Sequence, residues 1–327
     1  MPFLNGYVAP PPLATAEYHA TTPRSEYDLN WEYGVVPERL ETQGGVRLVP
    51  LIPSIHGKRL YDLFSAHPES YAYLPYGPFD SFAAFLTKLE LARRDPATLL
   101  YAVFDQSLIL ESERQGDEDD DVETRIRHEE TNGRRGEDGT TERGEEVERL
   151  AGIVGFKESQ SRNRMSEIGH VHIPPPFQRT HVSTHAVSLL LHYALDPPRS
   201  SQSQSSEPGA RPALGLRRVQ WFANPLNSAS VRAAERIGFL NEARLVRWER
   251  TLPTNRGKVM LDMPQFLEDD DERPEWEAGW GGGRHSTLLS MDWERWEGKG
   301  GGRELVDELV RRPVRRRRIG DIEGLKM

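Results

Sequence analysis

The sequence predicts an α+β fold in a single domain enlarged by insertions, and three observations carry that prediction. Strand-like alternation and helical periodicity succeed one another in the order β-α-α-β-β-β-α-β-α-β-β once the interruptions are removed. Hydrophobic residues make up only 36% of 327, lean for two full domains. Three polar, low-complexity stretches, about 106–149, 197–213 and 253–284, fall between predicted elements, where surface insertions belong.

Residues 1–45 are rich in Pro, Thr and Tyr and read as an extended arm, with Trp31, Tyr33 and Val35 as its packing residues. Val46–Pro53 ("VRLVPLIP") alternates as a strand does. A helix follows, with Ser54 as its expected N-cap and Leu60, Leu63 and Phe64 on one face. An aromatic turn, "YAYLPYGPF", leads to a second helix with Asp80 as expected N-cap and Phe82, Phe85, Leu86 and Leu89 inward. Thr98–Asp105 is a strand. After the first insertion, Leu150–Glu158 and Ser166–Ile173 form two strands joined by a polar hairpin. A helix runs to about Leu195. Arg217–Asn224 is a strand, Asn227–Phe239 a helix stopped at Gly238, Ala243–Leu252 a strand and Ser286–Trp296 the last strand. Residues 297–327 add a short helix and an Arg-rich tail.

Charge and composition narrow the function. Residues 111–149 hold 16 acidic and 7 basic side chains, a net −9 that equals the formal charge of the whole chain. The segment has almost no aliphatic residues, so nothing offsets the entropy of ordering it and disorder is expected there. The remainder is balanced and shows no basic stripe of the kind nucleic acid requires. There is no cysteine, which excludes disulfides, thiolate nucleophiles and cysteine-ligated metals and fits a cytoplasmic location. No run of about 18 apolar residues is present and the N-terminus does not read as a signal peptide, so neither membrane nor export is expected. The run Arg311–Arg318 resembles a nuclear-import or acidic-partner patch; a solvated tail is the plainer reading.

The most informative stretch is "IPPPFQRTHVSTHAVSLLLHYAL", Ile173–Leu195, where a strand stops and a helix starts across a polar turn. Unpaired amides and the positive end of the helix dipole make such a turn an anion site, and Arg179, Thr180, His181, Ser183 and Thr184 add donors. Taken alone, the turn reads most simply as a well-capped helix with a polar entry.

With "RRVQWFANPLNSASVRAAERIGF" and "LVRWERTL", this stretch resembles the GNAT N-acetyltransferase superfamily, and within it the branch that includes ribosomal-protein-serine N-acetyltransferases and their fungal relatives. The resemblance spans roughly Val46–Trp296 without the insertions. It implies a mixed, mostly antiparallel sheet flanked by helices, acetyl-CoA as cosubstrate without a metal, and a primary amine as acceptor. In that family the turn reads Gln or Arg, two residues, Gly, one residue, then Gly or Ala. Gln178 matches the first position, while His181 and Ser183 stand where small residues are usual. The resemblance assigns the pyrophosphate to Gln178, Arg179, Thr180, His181, Val182, Ser183 and Thr184, and the pantetheine arm to Asn227. Backbone N–H groups of Val171 and Ile173 would polarise the thioester in a gap between the Ser166–Ile173 and Arg217–Asn224 strands. Glu167 is the expected general base and Ser230 would lie near the sulfur; Ala234 occupies the place of the tyrosine acid of many relatives, so either Ser230 substitutes for it or the thiolate leaves without assistance. As a structural alternative, Glu167 is solvated or pairs with Arg162 or Arg164. His170 and His172 alternate away from it along the strand. Tyr73, Tyr76 and Phe79 form the expected acceptor wall, with packing under the sheet edge as the alternative. A CoA-binding or partner-binding protein without turnover, and a scaffold working through its charged segments, remain the competing classes.

Overall fold

The computed structural model describes residues 18–109, 149–198, 212–251, 283–298 and 301–318. The greater part of each expected insertion lies outside them. The elements are β1 Leu40–Glu41, β2 Val46–Pro50, α1 Lys58–Ser65, α2 Phe82–Arg94, β3 Leu99–Asp105, β4 Leu108–Ile109, β5 Arg149–Gln160, β6 Met165–His172, α3 Val182–Leu195, β7 Arg218–Ala223, α4 Ser228–Ile237, β8 Leu240–Thr251, β9 Gly283–Asp292, α5 Trp293–Glu297, α6 Gly302–Arg311 and β10 Arg317–Arg318.

Eight strands form one sheet in the order β1-β2-β3-β5-β6-β7-β9-β8. Every neighbouring pair is antiparallel except β6 and β7, so the sheet is mixed and mostly antiparallel. The parallel pair arises because α3 crosses over between β6 and β7, as parallel neighbours require. Helices cover both faces. α3, buried at 11 of its 14 positions, is apolar nearly all round, as a helix enclosed by a sheet and other helices must be. It packs with α6 and Trp296 over Val154, Phe156, Val219 and Leu289. α1 and α2 cover the opposite face through Leu60, Phe64, Phe85, Leu86 and Leu89. Each fully buried Leu or Phe of this kind contributes roughly 1.5–3 kcal/mol.

Helix ends differ from expectation where tertiary contacts claim the capping side chain. Ser54 caps nothing: its hydroxyl donates to the Thr22 carbonyl at 2.6 Å, and a π-turn at Pro53–Gly57 precedes α1. Ser81 rather than Asp80 caps α2, accepting from the Ala84 amide at 3.1 Å. Asn227 does cap α4, which ends at Gly238 in the left-handed region (φ 103°). The last strand stops at Asp292, earlier than Trp296, because the Asp292 carboxylate caps α5 by accepting from the Arg295 amide at 2.7 Å.

The ordered chain also reaches into stretches expected to be insertions: β4 lies at 108–109, and β9 already starts at Gly283. In the arm, Trp31 is buried against Phe156, whereas the Val35 side chain is exposed and Val35 is held through its backbone, its carbonyl accepting from the Tyr193 hydroxyl and its amide donating to the Tyr33 carbonyl. The Arg-rich run does not end as a free tail. β10 pairs in parallel with β4, and Arg317 is drawn onto buried Asp105. No described helix is long and apolar enough to cross a membrane.

Candidate active site

Two local irregularities open the sheet at its centre. β6 and β7 pair at Met165–Arg218, Ser166–Val219 and Glu167–Gln220 and then part, leaving the last residues of both strands unjoined. On its other edge, β6 pairs with β5 at Gly169–Gly155 and next at His172–Ile153, so one extra residue is accommodated on β6. His170 takes up this bulge with φ 52°, a left-handed conformation uncommon outside glycine. His170 and Val171 consequently have no opposite residue on either neighbouring strand. Across the pairing, Gly152 (φ 146°) lets the β6 end approach: a Cβ there would lie 2.3 Å from the His172 carbonyl oxygen.

The parting opens a solvent-connected cleft of about 100 Å³. Glu167, Gly169, His170 and Val171 line it from β6, Trp221, Phe222 and Ala223 from β7, and Asn227 and Ser230 from α4, with Tyr73 and Tyr76 at its rim. Strict alternation would turn His170 away from Glu167; the bulge brings both to the same cleft. His172 does face away, stacked on Phe64 with ring centroids 3.9 Å apart and its Nε2 2.7 Å from the Ser70 hydroxyl. Phe79 is not in the cleft wall and packs against Tyr71 and Phe85. Ala234 is fully buried behind α4.

Glu167 is 2% exposed, neither solvated nor paired with Arg162 or Arg164. Its partner is Lys157, directly opposite on β5, with Nζ 2.9 Å from the carboxylate. Burial raises the Glu167 carboxyl above the usual range, opposed in part by Lys157 and Arg250. His170 is held well below its ordinary pKa by burial and then by Lys88, Lys157 and Arg250, so it is neutral. Ser230 accepts from the Trp221 indole N–H at 3.1 Å, and its amide donates to the Asn227 carboxamide oxygen at 3.0 Å. The Asn227 oxygen is thereby committed to capping.

The cleft's β6 wall runs out into the turn before α3, and the turn's side chains are mostly directed into the protein. Gln178 donates through Nε2 to the Ile173 carbonyl at 2.8 Å, closing the turn on the strand it leaves. Ile173 itself is buried and outside the cleft wall. Arg179 adopts φ 58° and is exposed. The Thr180 hydroxyl donates to the Phe177 carbonyl at 2.6 Å and accepts from the Val182 amide at 3.2 Å. His181 points inward, with Nε2 3.1 Å from the Gly45 carbonyl and 3.4 Å from Asp105. Ser183 and Thr184 are half-buried in the first turn of α3, whose amides lack an i−4 partner.

Beneath the turn, Asp105 collects His181, the Ser107 amide and hydroxyl at 2.9 and 2.7 Å, and Arg317 at 2.9 Å. Burial alone would raise its carboxyl; hydrogen bonds from His181 and Ser107 hold it below the usual range. Arg317 also donates to the Pro176 carbonyl at 2.9 Å, so the C-terminal segment braces the turn from behind.

The parted sheet, the bulge beside it and the helix N-terminus beyond them form one continuous feature at the centre of the fold. Residues 86–240 match the family model described as an acetyltransferase (GNAT) domain, from α2 into the start of β8. A probable acetyltransferase of the GNAT family from Chromobacterium violaceum shares the fold at 24% identity, over 81% of this chain and 97% of its own, with a TM-score of 0.50. A GCN5-related N-acetyltransferase from Brucella melitensis does so at 19% identity, over 85% and 87%, with a TM-score of 0.54. No curated protein matches the sequence.

The sequence reading did not find Lys88, Lys157, Arg250, Arg284 or His170 as cleft residues, nor Arg317 as a brace. Lys157 alone had a local signal, since hairpin register sets it opposite Glu167. Among the described residues no group of His, Asp and Glu is placed to hold a metal ion.

Proposed function

We propose that the protein transfers the acetyl group of acetyl-CoA to the nitrogen of a primary amine by direct attack. The observation that carries this is the parting of β6 from β7 beyond Glu167–Gln220, coupled to the bulge at His170, in a cleft that ends at the α3 turn. The residues present fit the cosubstrate. A thin pantetheine arm matches a gap between two strands. The first-turn amides of α3 suit a pyrophosphate, and His181, bonded inward to Gly45 and Asp105, does not crowd them. Asn227 and Ser230 border the arm's path from α4.

Acetyl-CoA supplies an activated acyl carbon. The chain's own residues supply the rest. Glu167, a buried carboxylate with a raised pKa, takes the proton that the acceptor ammonium must lose, directly or through water. Val171, without a strand partner, offers its amide to the oxygen that gains charge as the amine adds. Ser230 stands nearest to protonating the leaving thiolate. Thiol release from acetyl-CoA, followed with a panel of peptides and small amines, tests the reading. Turnover above background is expected for at least one amine. Bound acetyl-CoA with no turnover across the panel would favour a binding protein.

A further inference from the structure

The acceptor side of the cleft carries an excess of positive charge. Lys88 from α2, Lys157 from β5, Arg250 from β8 and Arg284 from β9 all line it. Two carboxylates answer them. Glu167 pairs with Lys157 at 2.9 Å. Glu249 pairs with Arg250 at 2.5 Å and with Arg284 at 3.1 Å, and accepts from the Ser286 hydroxyl at 3.0 Å.

Lys88 is left over. Among the described residues no carboxylate pairs with it, and its ammonium lies 4.8 Å from the centre of the Tyr76 ring. Burial, followed by repulsion from Arg250 and Lys157, lowers its pKa. Arg284 is also incompletely satisfied: its side chain is 8% exposed, and its Nε–H is buried with no acceptor. A partly desolvated ammonium in the same cleft as a guanidinium with one buried N–H left without an acceptor is costly unless an anion completes them. Tyr76 and the neutral His170, whose rings stack at 5.8 Å, offer no negative charge.

Building on the transferase reading above, we infer that the acceptor amine also carries a carboxylate, and that Lys88 and Arg284 bind it while Glu167 faces the amine. A free amino acid or a peptide with an acidic residue next to its N-terminus presents that chemistry. A polyamine presents the opposite charge to the same wall.

The test measures kcat/KM by thiol release with acetyl-CoA for three sets of acceptors. The acidic set is Ser-Glu amide, free aspartate and free glutamate, which separates peptide from amino acid. The neutral and cationic sets are Ser-Ala amide, and Ser-Lys amide with spermidine. At least one acidic acceptor should exceed Ser-Ala amide by about tenfold or more, as one charge-assisted hydrogen bond gives. Lys88→Gln should erase about tenfold of that ratio through acceptor KM, and Lys88→Arg should restore most of it. The preference should also shrink as salt rises. Neutral or cationic acceptors ranking first would overturn the charge assignment and leave the transferase reading standing. So would a Lys88→Gln effect confined to the KM for acetyl-CoA, which would place Lys88 on the cosubstrate. Binding of acetyl-CoA without turnover of any amine would overturn both. Thermal unfolding of each variant establishes that a lost preference is not lost folding.

Discussion

The two ends of the cleft are built on opposite plans. At the α3 turn the side chains are turned inward and occupied: Gln178 with Ile173, Thr180 with Phe177 and Val182, His181 with Gly45 and Asp105. Arg179 is the exposed exception, beside first-turn amides that lack an i−4 partner. At the acceptor end cationic side chains from four elements, with Glu167 from a fifth, face the cavity. A site for a constant ligand can be made from amides, whose positions depend only on the turn's shape. A site that chooses among acceptors needs side chains, because only they differ in charge and reach.

The largest expected effect breaks the chemistry between the two ends. Glu167→Gln should lower kcat by roughly 10²–10³-fold, within the range of general base catalysis. Burial raises the Glu167 pKa, and a base acts only when deprotonated. Activity of the parent protein should therefore fall as pH drops through that raised value, and the Gln variant should lose this limb. A pH series of kcat/KM checks both, and an unchanged limb would remove Glu167 as the base.

Next, Gly152→Ala should strain both ends together, since a Cβ at φ 146° would meet the His172 carbonyl at 2.3 Å. A loss of about 3 kcal/mol or more is expected in denaturant unfolding. Arg317→Met acts on the turn alone. It leaves the buried Asp105 carboxylate short of a cation and the Pro176 carbonyl short of a donor. About 2–3 kcal/mol of stability should go, and the KM for acetyl-CoA should rise severalfold with little change in acceptor KM. An equal rise in both would mean that the brace is not specific to the turn.

The smallest effect is a pH dependence of stability from behind the turn. His185 is buried with its Nδ1 2.9 Å from the Thr42 hydroxyl. Burial, and then His181, lower its pKa to about 4, with Asp105 acting the other way. The unfolded chain takes up the proton near pH 6.5 and the folded one does not, so this contribution is complete above pH 6.5. It declines as pH falls, levelling off near pH 4 after a loss of about 1–3 kcal/mol. His185→Gln should flatten that part of the curve measured by denaturant titration.

Much of the fold was legible because its signals are local. Alternation marks β2 and β7, a continuous apolar run marks β3, Gly238 marks the end of α4, and Asn227 its beginning. The caps at Ser54 and Asp80 were misplaced because a capping side chain is a candidate until something distant claims it, and Thr22 claimed Ser54. Of the candidate site residues, Gln178, Asn227 and Ser230 come from the family resemblance, and Glu167 is the acid on its strand. His170 did not, because period-two counting fails at a bulge. The direction of His181 did not either, because it is set by Gly45 and Asp105, 136 and 76 positions away.

By itself the sequence determined the order of elements, the lean core with its polar interruptions, and the strand–turn–helix at Ile173–Leu195. Periodicity, capping and charge act over a few residues and can be read along the chain. The tertiary structure decided where β6 and β7 part, that the bulge turns His170 into the cleft, that Lys157 rather than a nearby arginine meets Glu167, and that four cations from four elements converge on the acceptor side. Those outcomes depend on register and on packing between distant segments, so they exist only once the sheet has closed around them.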